Sequence, residues 1–337
     1  MKIVGNYDLI KLNTFGISAK AKFFAELENE TDLKELFGAP EFKNNTKLFL
    51  GGGSNVLFVK DFDGLAVLNK IKGIEVVSED DGSVVIRSMG GEVWHSLVLF
   101  AVERGWWGIE NLSLIPGTVG AAPMQNIGAY GAELKDVLVN IEAYEIETGE
   151  KKIFAREACE LAYRDSIFKN KLKNKYFISA VTLKLDKKER KNLDYKVLAE
   201  YFKYNQIEPK SSKDISDAVS AIRRSKLPDP TQIPNAGSFF KNVFIEPADL
   251  EKLQKVYPQI PYFTEDGVVK IPAAWLIEGV GWKGKRLGNV GVHDKQALVL
   301  VNHGGAEGQE LLNLSKKIIA DVKEKFGLTL VPEVNIV

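Results

Sequence analysis

The 337-residue chain carries 45 Lys plus Arg against 45 Asp plus Glu, 45% hydrophobic residues and one cysteine. Balanced charge leaves no global field to draw it to nucleic acid or a membrane surface, and a lone cysteine excludes an intrachain disulfide framework. The length implies two or three domains. The early polar turn of residues 1–6 and the absence of any long apolar run predict a cytoplasmic protein without signal peptide or membrane span.

In chain order, residues 31–38 read as a short helix with Thr31 as N-cap and Gly38 at its end. The apolar run Leu48–Phe49–Leu50 enters Gly51–Gly52–Gly53–Ser54–Asn55, and Leu57–Phe58–Val59 beyond looks like strand. Alternation at Val84, Val85, Ile86 and Arg87 predicts another strand. Val93, Trp94, Leu97, Val98, Ala101 and Val102 predict an amphipathic helix ended by Gly105, with His95 as a surface or packing residue. Residues 141–146 and 152–154 form a hairpin about Thr148–Gly149–Glu150, and 181–185 a further strand. A helical segment is expected from near Ala155 to Tyr163–Arg164–Asp165–Ser166. Cys159 lies in it between acidic neighbours, where a thiolate is disfavoured, so it reads as packing.

The charge run 186–191 marks a solvated loop. A helix opened by Ser211 and Ser212 runs through Ile215, Val219 and Ile222 until Pro228 stops it, and Leu227–Pro228–Asp229–Pro230 reads as a linker. Pro247 and Pro272 each suit the first position of a helix. His293 and His303 bracket the strand-like run 297–301 without zinc-ligand spacing, so with His95 the histidine census supports no metal site. A long helix from about residue 309 to 326 stops at Gly327, and residues 328–337 read as an edge-like strand containing Pro332.

Residues 114–131 contain no Lys, Arg, Asp or Glu and are rich in glycine, alanine and proline. An uncharged loop of that length points to a covering other than water. Peptide N–H arrays in glycine-rich loops bind phosphate without a cationic side chain. Gly51–Gly53 could be a turn alone; the longer loop, with Gln125 and Asn126, is hard to explain as punctuation. Two such loops suggest the two ends of one phosphate-bearing cofactor. A P-loop needs Lys–Ser or Lys–Thr after its glycines, and a Rossmann fingerprint needs G-x-G-x-x-G between strand and helix; Gly51–Gly52–Gly53–Ser54–Asn55–Val56 meets neither. What remains is a dinucleotide held by loop backbone.

Three clusters lie outside these loops: Tyr163–Arg164–Asp165–Ser166, residues 235–242 around Ser238, and Glu333 in the apolar C-terminal run. Arg164 and Asp165 could form a local ion pair, Ser238 could be a turn serine, and Glu333 could pair with a core arginine. From residues alone, the chain is a cytoplasmic flavin- or nucleotide-binding α/β protein.

These clusters, with Asn13–Thr14–Phe15–Gly16, Gly51–Gly52–Gly53–Ser54–Asn55, residues 115–133 and Pro332–Glu333–Val334, resemble in order the UDP-N-acetylenolpyruvoylglucosamine reductases, flavoenzymes that complete UDP-N-acetylmuramate for the bacterial cell wall. The likeness covers the whole chain. It implies an α+β protein with an FAD-binding fold of the vanillyl-alcohol-oxidase/PCMH type. Two α/β subdomains (1–72 with 328–337, and 73–227 with a substrate-loop insert) would cradle FAD, and a C-terminal α/β substrate domain (228–327) would complete the molecule. Cofactor contacts would come from Gly51, Gly52, Gly53, Ser54, Asn55, Pro116, Gly117, Thr118, Gly120, Ala121, Ala122, Gln125, Asn126, Gly128, Ala129 and Tyr130.

By the same likeness, hydride from NADPH passes by way of FAD to the vinyl carbon of the enolpyruvyl UDP-sugar. Arg164 and Glu333 match residues that stabilise the resulting anion, and Ser238 matches the proton donor. Arg164 is suited to a two-bond carboxylate grip, whereas Glu333 would have to be protonated or act through a neighbour. Tyr195, within Leu193–Asp194–Tyr195, matches a tyrosine that closes over the diphosphate; Lys226 and Asn242 match substrate contacts. The resemblance implies a cytoplasmic monomer. Val243 stands where proline is common, and the Trp106–Trp107 doublet is bulkier than usual, with packing as its only evident role.

Overall fold

The computed structural model describes residues 1–265 and 267–337. The chain divides into two compact units: residues 1–7, 21–53 and 62–225 form the first, and residues 8–20, 54–61 and 226–337 the second.

The first unit is built on two sheets. The four-stranded one has the order Ile3–Asp8, Lys20–Leu27, Phe62–Asn69, Thr46–Leu50, with Phe62–Asn69 parallel to both neighbours. Six consecutive residues of Phe62–Asn69 are buried, from Gly64 to Asn69, as expected of a parallel strand covered on both faces. Leu27, Leu33, Leu36, Phe42, Val67 and Phe177 form its core. The helix Glu30–Gly38 begins one residue before the expected Thr31. Its N-cap is Asn29, whose side chain accepts the Asp32 N–H while Asp32 answers to the cap backbone, a reciprocal arrangement that Thr31 at the first turn could not make.

The second sheet is antiparallel, in the order Lys151–Ala155, Leu138–Glu145, Tyr176–Asp186, Ser83–Met89, Ile74–Glu79, and contains the expected hairpin and strands. Trp94, Leu97, Val98 and Ala101 from the helix Trp94–Val102 pack on Ile86, Ile141 and Val181. Cys159 is fully buried in this core, and burial pushes its thiol up to about 12. The helical segment expected from Ala155 shrinks to one 3-10 turn, Arg156–Cys159, broken by Glu160 at φ +46°. The Trp doublet splits between two cores. Trp106 joins the sheet core, while Trp107 packs with Leu198, Phe202, Ile215, Val219 and Ile222 of the helices Lys196–Asn205 and Ser212–Lys226.

The second unit has a sheet in the order Asn235–Ser238, Val299–Asn302, Val290–Val292, Arg286–Leu287, and a smaller one of Val243–Ile245, Val268–Ile271 and Phe263–Glu265. The long helix Gly308–Phe326 ends on Gly327 in the left-handed region, as the glycine predicts. Pro247 opens its helix at the first turn, whereas Pro272 is the N-cap of Ala273–Gly279, one place earlier than expected. The expected C-terminal strand is mostly irregular. Asn335–Ile336 pair parallel to Val56–Leu57, and Pro332 makes a single antiparallel bridge to Phe240. No helix of the described residues is long and apolar enough to cross a membrane.

Candidate active site

Thr46–Leu50 and Phe62–Asn69 are parallel neighbours, so the chain between them must cross over, and Gly51–Gly53 open that crossover. Gly51 and Gly52 lie directly against the second glycine-rich loop. A Cβ on Gly51 would strike Thr118 Oγ1, and one on Gly52 would stand 3.0 Å from Gly117 Cα. Gly53 at φ +61° and Gly117 at φ +114° hold backbone shapes that favour glycine. Behind them the second loop is fastened by three N–H donations: Trp94 to Gly117 O at 3.1 Å, Val119 to Glu92 O at 2.8 Å and Gly120 to Gly90 O at 2.8 Å. Among the described residues, the N–H groups of Gly51, Gly52, Gly117 and Thr118 find no acceptor in the chain. Peptide donors from two loops meet where no side chain intrudes, and the longer loop carries no charge. That donor set fits the diphosphate of a dinucleotide such as FAD. Pro116 and Ala121 are exposed on this rim; Ala122 and Thr118 are buried beneath it.

Each end of the longer loop is anchored by a polar side chain. At its start, Leu114 (φ +57°) donates its N–H to His95 Nδ1 at 3.0 Å, and Ser113 Oγ donates to Ser216 Oγ at 2.7 Å. Burial pushes the His95 pKa down, which keeps the imidazole neutral and able to accept. At its end Asn126 is fully buried at φ +44°. Its Oδ1 accepts the Lys135 N–H, and its Nδ2 donates to Glu133 Oε2 and Ala162 O. That amide is committed to holding the loop. Gln125 Oε1 accepts from Lys169 Nζ at 3.3 Å.

The Arg164 motif hooks onto the same loop. Arg164 Nη2 donates to Gly128 O at 2.7 Å, and Ser166 Oγ donates to Met124 O at 2.7 Å. Arg164 itself sits at φ +51°, a left-handed conformation that costs energy outside glycine and is found disproportionately at functional sites. Asp165 is engaged by Asn170 Nδ2, at 2.9 Å to each oxygen. Gly128–Ala129 pair as a short strand with Ala132–Glu133, leaving Tyr130 at φ +49° between them.

Tyr195 precedes the helix Lys196–Asn205, is 46% exposed, and meets Tyr130 edge-on with ring centroids 5.3 Å apart. Two asparagines not singled out in the sequence tie its loop to the cradle. Asn111 Nδ2 donates to both Tyr130 O and Asn192 O, and Asn192 Nδ2 donates to Gly131 O. Asn111 is buried between Ile109 and Leu112, where burial demands a partner for its amide.

In the second unit, Gly237 at φ +67° donates its N–H to Asn235 Oδ1 and turns the chain into Ser238. The Glu333 N–H donates to Phe239 O at 2.7 Å, and the Lys241 N–H to Val331 O at 2.9 Å, so Ser238 and Glu333 lie on adjoining segments, both half-buried. Asn55 closes this group: its Nδ2 donates to Glu333 O at 3.5 Å, and its own carbonyl accepts the Asn335 N–H. Ser54, beside it, is half-buried. Asn242 Oδ1 accepts the Ala273 N–H at the start of Ala273–Gly279, and Lys226 is exposed at the end of Ser212–Lys226. Val243 opens a paired strand opposite Ile271.

Comparison with known proteins agrees with this geometry. Residues 21–152 match the FAD binding domain family, and residues 229–337 match the C-terminal domain of UDP-N-acetylenolpyruvoylglucosamine reductase. Proteins of that name are 48% identical in Flavobacterium johnsoniae, over 100% of both chains, and 49% identical in Amoebophilus asiaticus, again over 100% of both. In Bacteroides fragilis the identity is 45%, over 98% of this chain and 99% of the relative. The solved structure of UDP-N-acetylenolpyruvylglucosamine reductase from Thermus caldophilus superposes with a TM-score of 0.64 at 23% identity, covering 99% of this chain and 98% of that one. A solvent-stable cholesterol oxidase gives a TM-score of 0.50 over 97% of this chain and 86% of its own. The fold is therefore the α+β FAD-binding fold of the vanillyl-alcohol-oxidase/PCMH type, and by identity along its full length the chain belongs to the UDP-N-acetylenolpyruvoylglucosamine reductase family.

Proposed function

We propose that the protein is an NADPH-dependent flavoenzyme that reduces the enolpyruvyl group of UDP-N-acetylglucosamine enolpyruvate to give UDP-N-acetylmuramate, in peptidoglycan precursor synthesis. The observation that carries this is the pair of apposed glycine loops with unsatisfied N–H donors, in a chain of this family. FAD, when bound, supplies the carrier that accepts hydride from NADPH and passes it to substrate.

The remaining tasks fall to the chain. Gly51 to Asn55, Pro116, Gly117, Thr118, Gly120, Ala121 and Ala122 hold the diphosphate of FAD through backbone. Gln125, Asn126, Gly128, Ala129 and Tyr130 continue its cradle, Asn126 by fixing the loop's shape. Arg164 grips the substrate carboxylate and stabilises negative charge spreading into it; a permanent, planar cation is suited to both. Ser238 delivers its proton to the carbon next to the carboxylate. A hydroxyl is a weak acid, but a carbanionic centre is a strong base, and position then matters more than matched acidity. Glu333 helps to stabilise the same charge in its protonated form or through a neighbour. Tyr195, Lys226 and Asn242 bind the nucleotide. The functional division is residues 1–72 with 328–337 and residues 73–227 for FAD, and 228–327 for substrate, in a cytoplasmic monomer.

The test is anaerobic. The purified protein should be yellow, NADPH should bleach it, and the enolpyruvyl nucleotide should restore the colour without oxygen. A bleached enzyme that reoxidises in air but ignores the nucleotide would mean a flavin oxidase; a protein that stays colourless with FAD would mean a non-catalytic module.

A further inference from the structure

The turn that ends the cradle loop is held from three sides. Tyr130 at φ +49° and Gly131 at φ +81° stand between the paired Gly128–Ala129 and Ala132–Glu133, the two left-handed residues that a type I′ hairpin connection needs. Glycine adopts that shape freely, whereas tyrosine does so at a cost. Carbonyls of this turn are taken by side chains from distant parts of the chain: Gly128 O by Arg164 Nη2 at 2.7 Å, Tyr130 O by Asn111 Nδ2 at 2.8 Å and Gly131 O by Asn192 Nδ2 at 3.0 Å. Asn111 Nδ2 also donates to Asn192 O at 3.0 Å, so the two asparagines and the turn close a ring of hydrogen bonds. Three residues beyond Asn192, Tyr195 sets its ring edge-on to Tyr130. A Cβ on Gly131 would stand 3.4 Å from Asn192 Oδ1 and 3.8 Å from Tyr195 Cβ, so the loop rests directly on the turn.

Both amides use only their donor half. Asn111 Oδ1 and Asn192 Oδ1 are enclosed and accept no hydrogen bond among the described residues, beside a cavity of about 60 Å³ that both residues line with Glu110 and Arg190. Asn126, which fixes the cradle itself, has both halves paired. A buried amide oxygen without a donor lowers stability, so two in one cluster point to a placement kept for something other than stability.

We propose that Asn111 and Asn192 are positioning residues for the nucleotide: through the Tyr130–Gly131 turn they set Tyr195 against the same stretch of backbone that Arg164 grips. The groups assigned to the diphosphate and to the carboxylate are thereby fixed in one frame. The inference rests on the flavoenzyme reading and deepens it. Neither asparagine is assigned a contact with substrate; each acts through Tyr195. A tyrosine on an untied loop would lose conformational freedom at every binding event, and the ring of bonds removes that loss before nucleotide arrives.

The experiment uses FAD-loaded wild type, Asn192→Ala, Asn111→Ala, Tyr195→Ala and the double variant Asn192→Ala with Tyr195→Ala. Two quantities are read: the Kd of the enolpyruvyl nucleotide from its perturbation of flavin absorbance, and the limiting rate at which saturating nucleotide reoxidises the NADPH-reduced flavin. Asn192→Ala is expected to raise Kd roughly two- to tenfold, the scale of one net hydrogen bond, with the limiting rate within about twofold of wild type. Asn111→Ala, which removes two donations, should raise Kd further; if that variant does not fold, Asn192→Ala decides. Tyr195→Ala should raise Kd by itself, and adding Asn192→Ala should change it no more, because the tie then has nothing to position. The proposal is overturned if Asn192→Ala matches wild type in Kd, if its factor multiplies in full on top of that of Tyr195→Ala, or if the limiting rate falls by as much as Kd rises. A wild type that ignores both NADPH and nucleotide rejects the flavoenzyme reading, and a Tyr195→Ala enzyme with wild-type Kd rejects the tyrosine's role; this inference goes with either. A weakened Tyr195→Ala beside an unaltered Asn192→Ala rejects this inference alone.

Discussion

Ser238 follows Gly237, whose left-handed φ turns the chain where Asn235 Oδ1 captures its N–H, and the Glu333 N–H bonds the carbonyl of the very next residue, Phe239. A hydroxyl held by backbone on both sides is positioned before substrate arrives. Ser238→Ala should leave NADPH oxidation by the flavin nearly intact and slow the reoxidation by substrate roughly 10²- to 10⁴-fold, the range for loss of a positioned proton donor. Stopped-flow absorbance of the two half-reactions separates them, and equal losses in both would remove Ser238 from that role. Ser238 was singled out in the sequence because short clusters of unusual type stand out in a chain. Asn126 and Asn242 show what was not legible. Each is an amide in a conspicuous motif, but each gives its side-chain oxygen to the protein itself, Asn126 to the loop end and Asn242 to a helix start. A sequence names the donor and acceptor without naming the partner, and for Asn111 the partners, Tyr130 O and Asn192 O, lie 19 and 81 residues along the chain.

Trp107 shows how an element can carry function at a distance. Its indole fills the small core under Lys196–Asn205 and Ser212–Lys226, the helices that carry Tyr195 at one start and Lys226 at the other's end. Trp107→Ala should cost about 3–5 kcal/mol, as large-to-small changes in a buried core do, and should raise the KM for the nucleotide more than it lowers flavin content. Thermal melts with steady-state kinetics check this; unchanged KM would detach the insert from substrate binding. In the five-stranded sheet, Arg87 on Ser83–Met89 reaches Glu142 on Leu138–Glu145 with two N–H donations, and Lys151 adds a third cation contact at 2.6 Å. The Arg87 bonds pull the Glu142 carboxyl down from 4.5 to about 2. A folded-state pKa below the unfolded value contributes stability above about 4.5 that is lost as pH falls toward 2. Glu142→Gln should therefore flatten the pH dependence of unfolding free energy across that window, measured by denaturant titration at stepped pH. Helices were the readable elements because caps and periodicity are local. Residues 328–337 were misread as one strand because an apolar pattern reports burial, and here burial is met by single bridges and a two-residue ladder.

The whole molecule is less sequential than its motifs suggest. The second unit takes its bulk from residues 226–337, but residues 8–20 and 54–61 are part of it. Asn302 Nδ2 donates to Phe15 O at 2.8 Å, the Asn235 N–H donates to Thr14 O at 2.9 Å, and Val56–Leu57 supplies the partner of the last strand. A fragment of residues 226–337 alone should fail to fold cooperatively, lacking those partners for buried polar groups. A dispersed amide spectrum and a sigmoidal melt from that fragment would refute this. The linker read at Leu227–Pro230 lies beside the start of the second unit's long segment at residue 226, whereas the two borrowed segments are each too short to show a periodicity of their own. The only sulfhydryl in the chain, Cys159, is sealed inside the sheet core with its acidity suppressed. Maleimide dyes and spin labels will therefore pass the native protein by, and a cysteine introduced at an outward position such as Tyr204, 87% exposed beyond the Tyr195 loop, becomes a single addressable handle. Fluorescence from that handle could follow the insert during turnover without first stripping the protein of its own thiol.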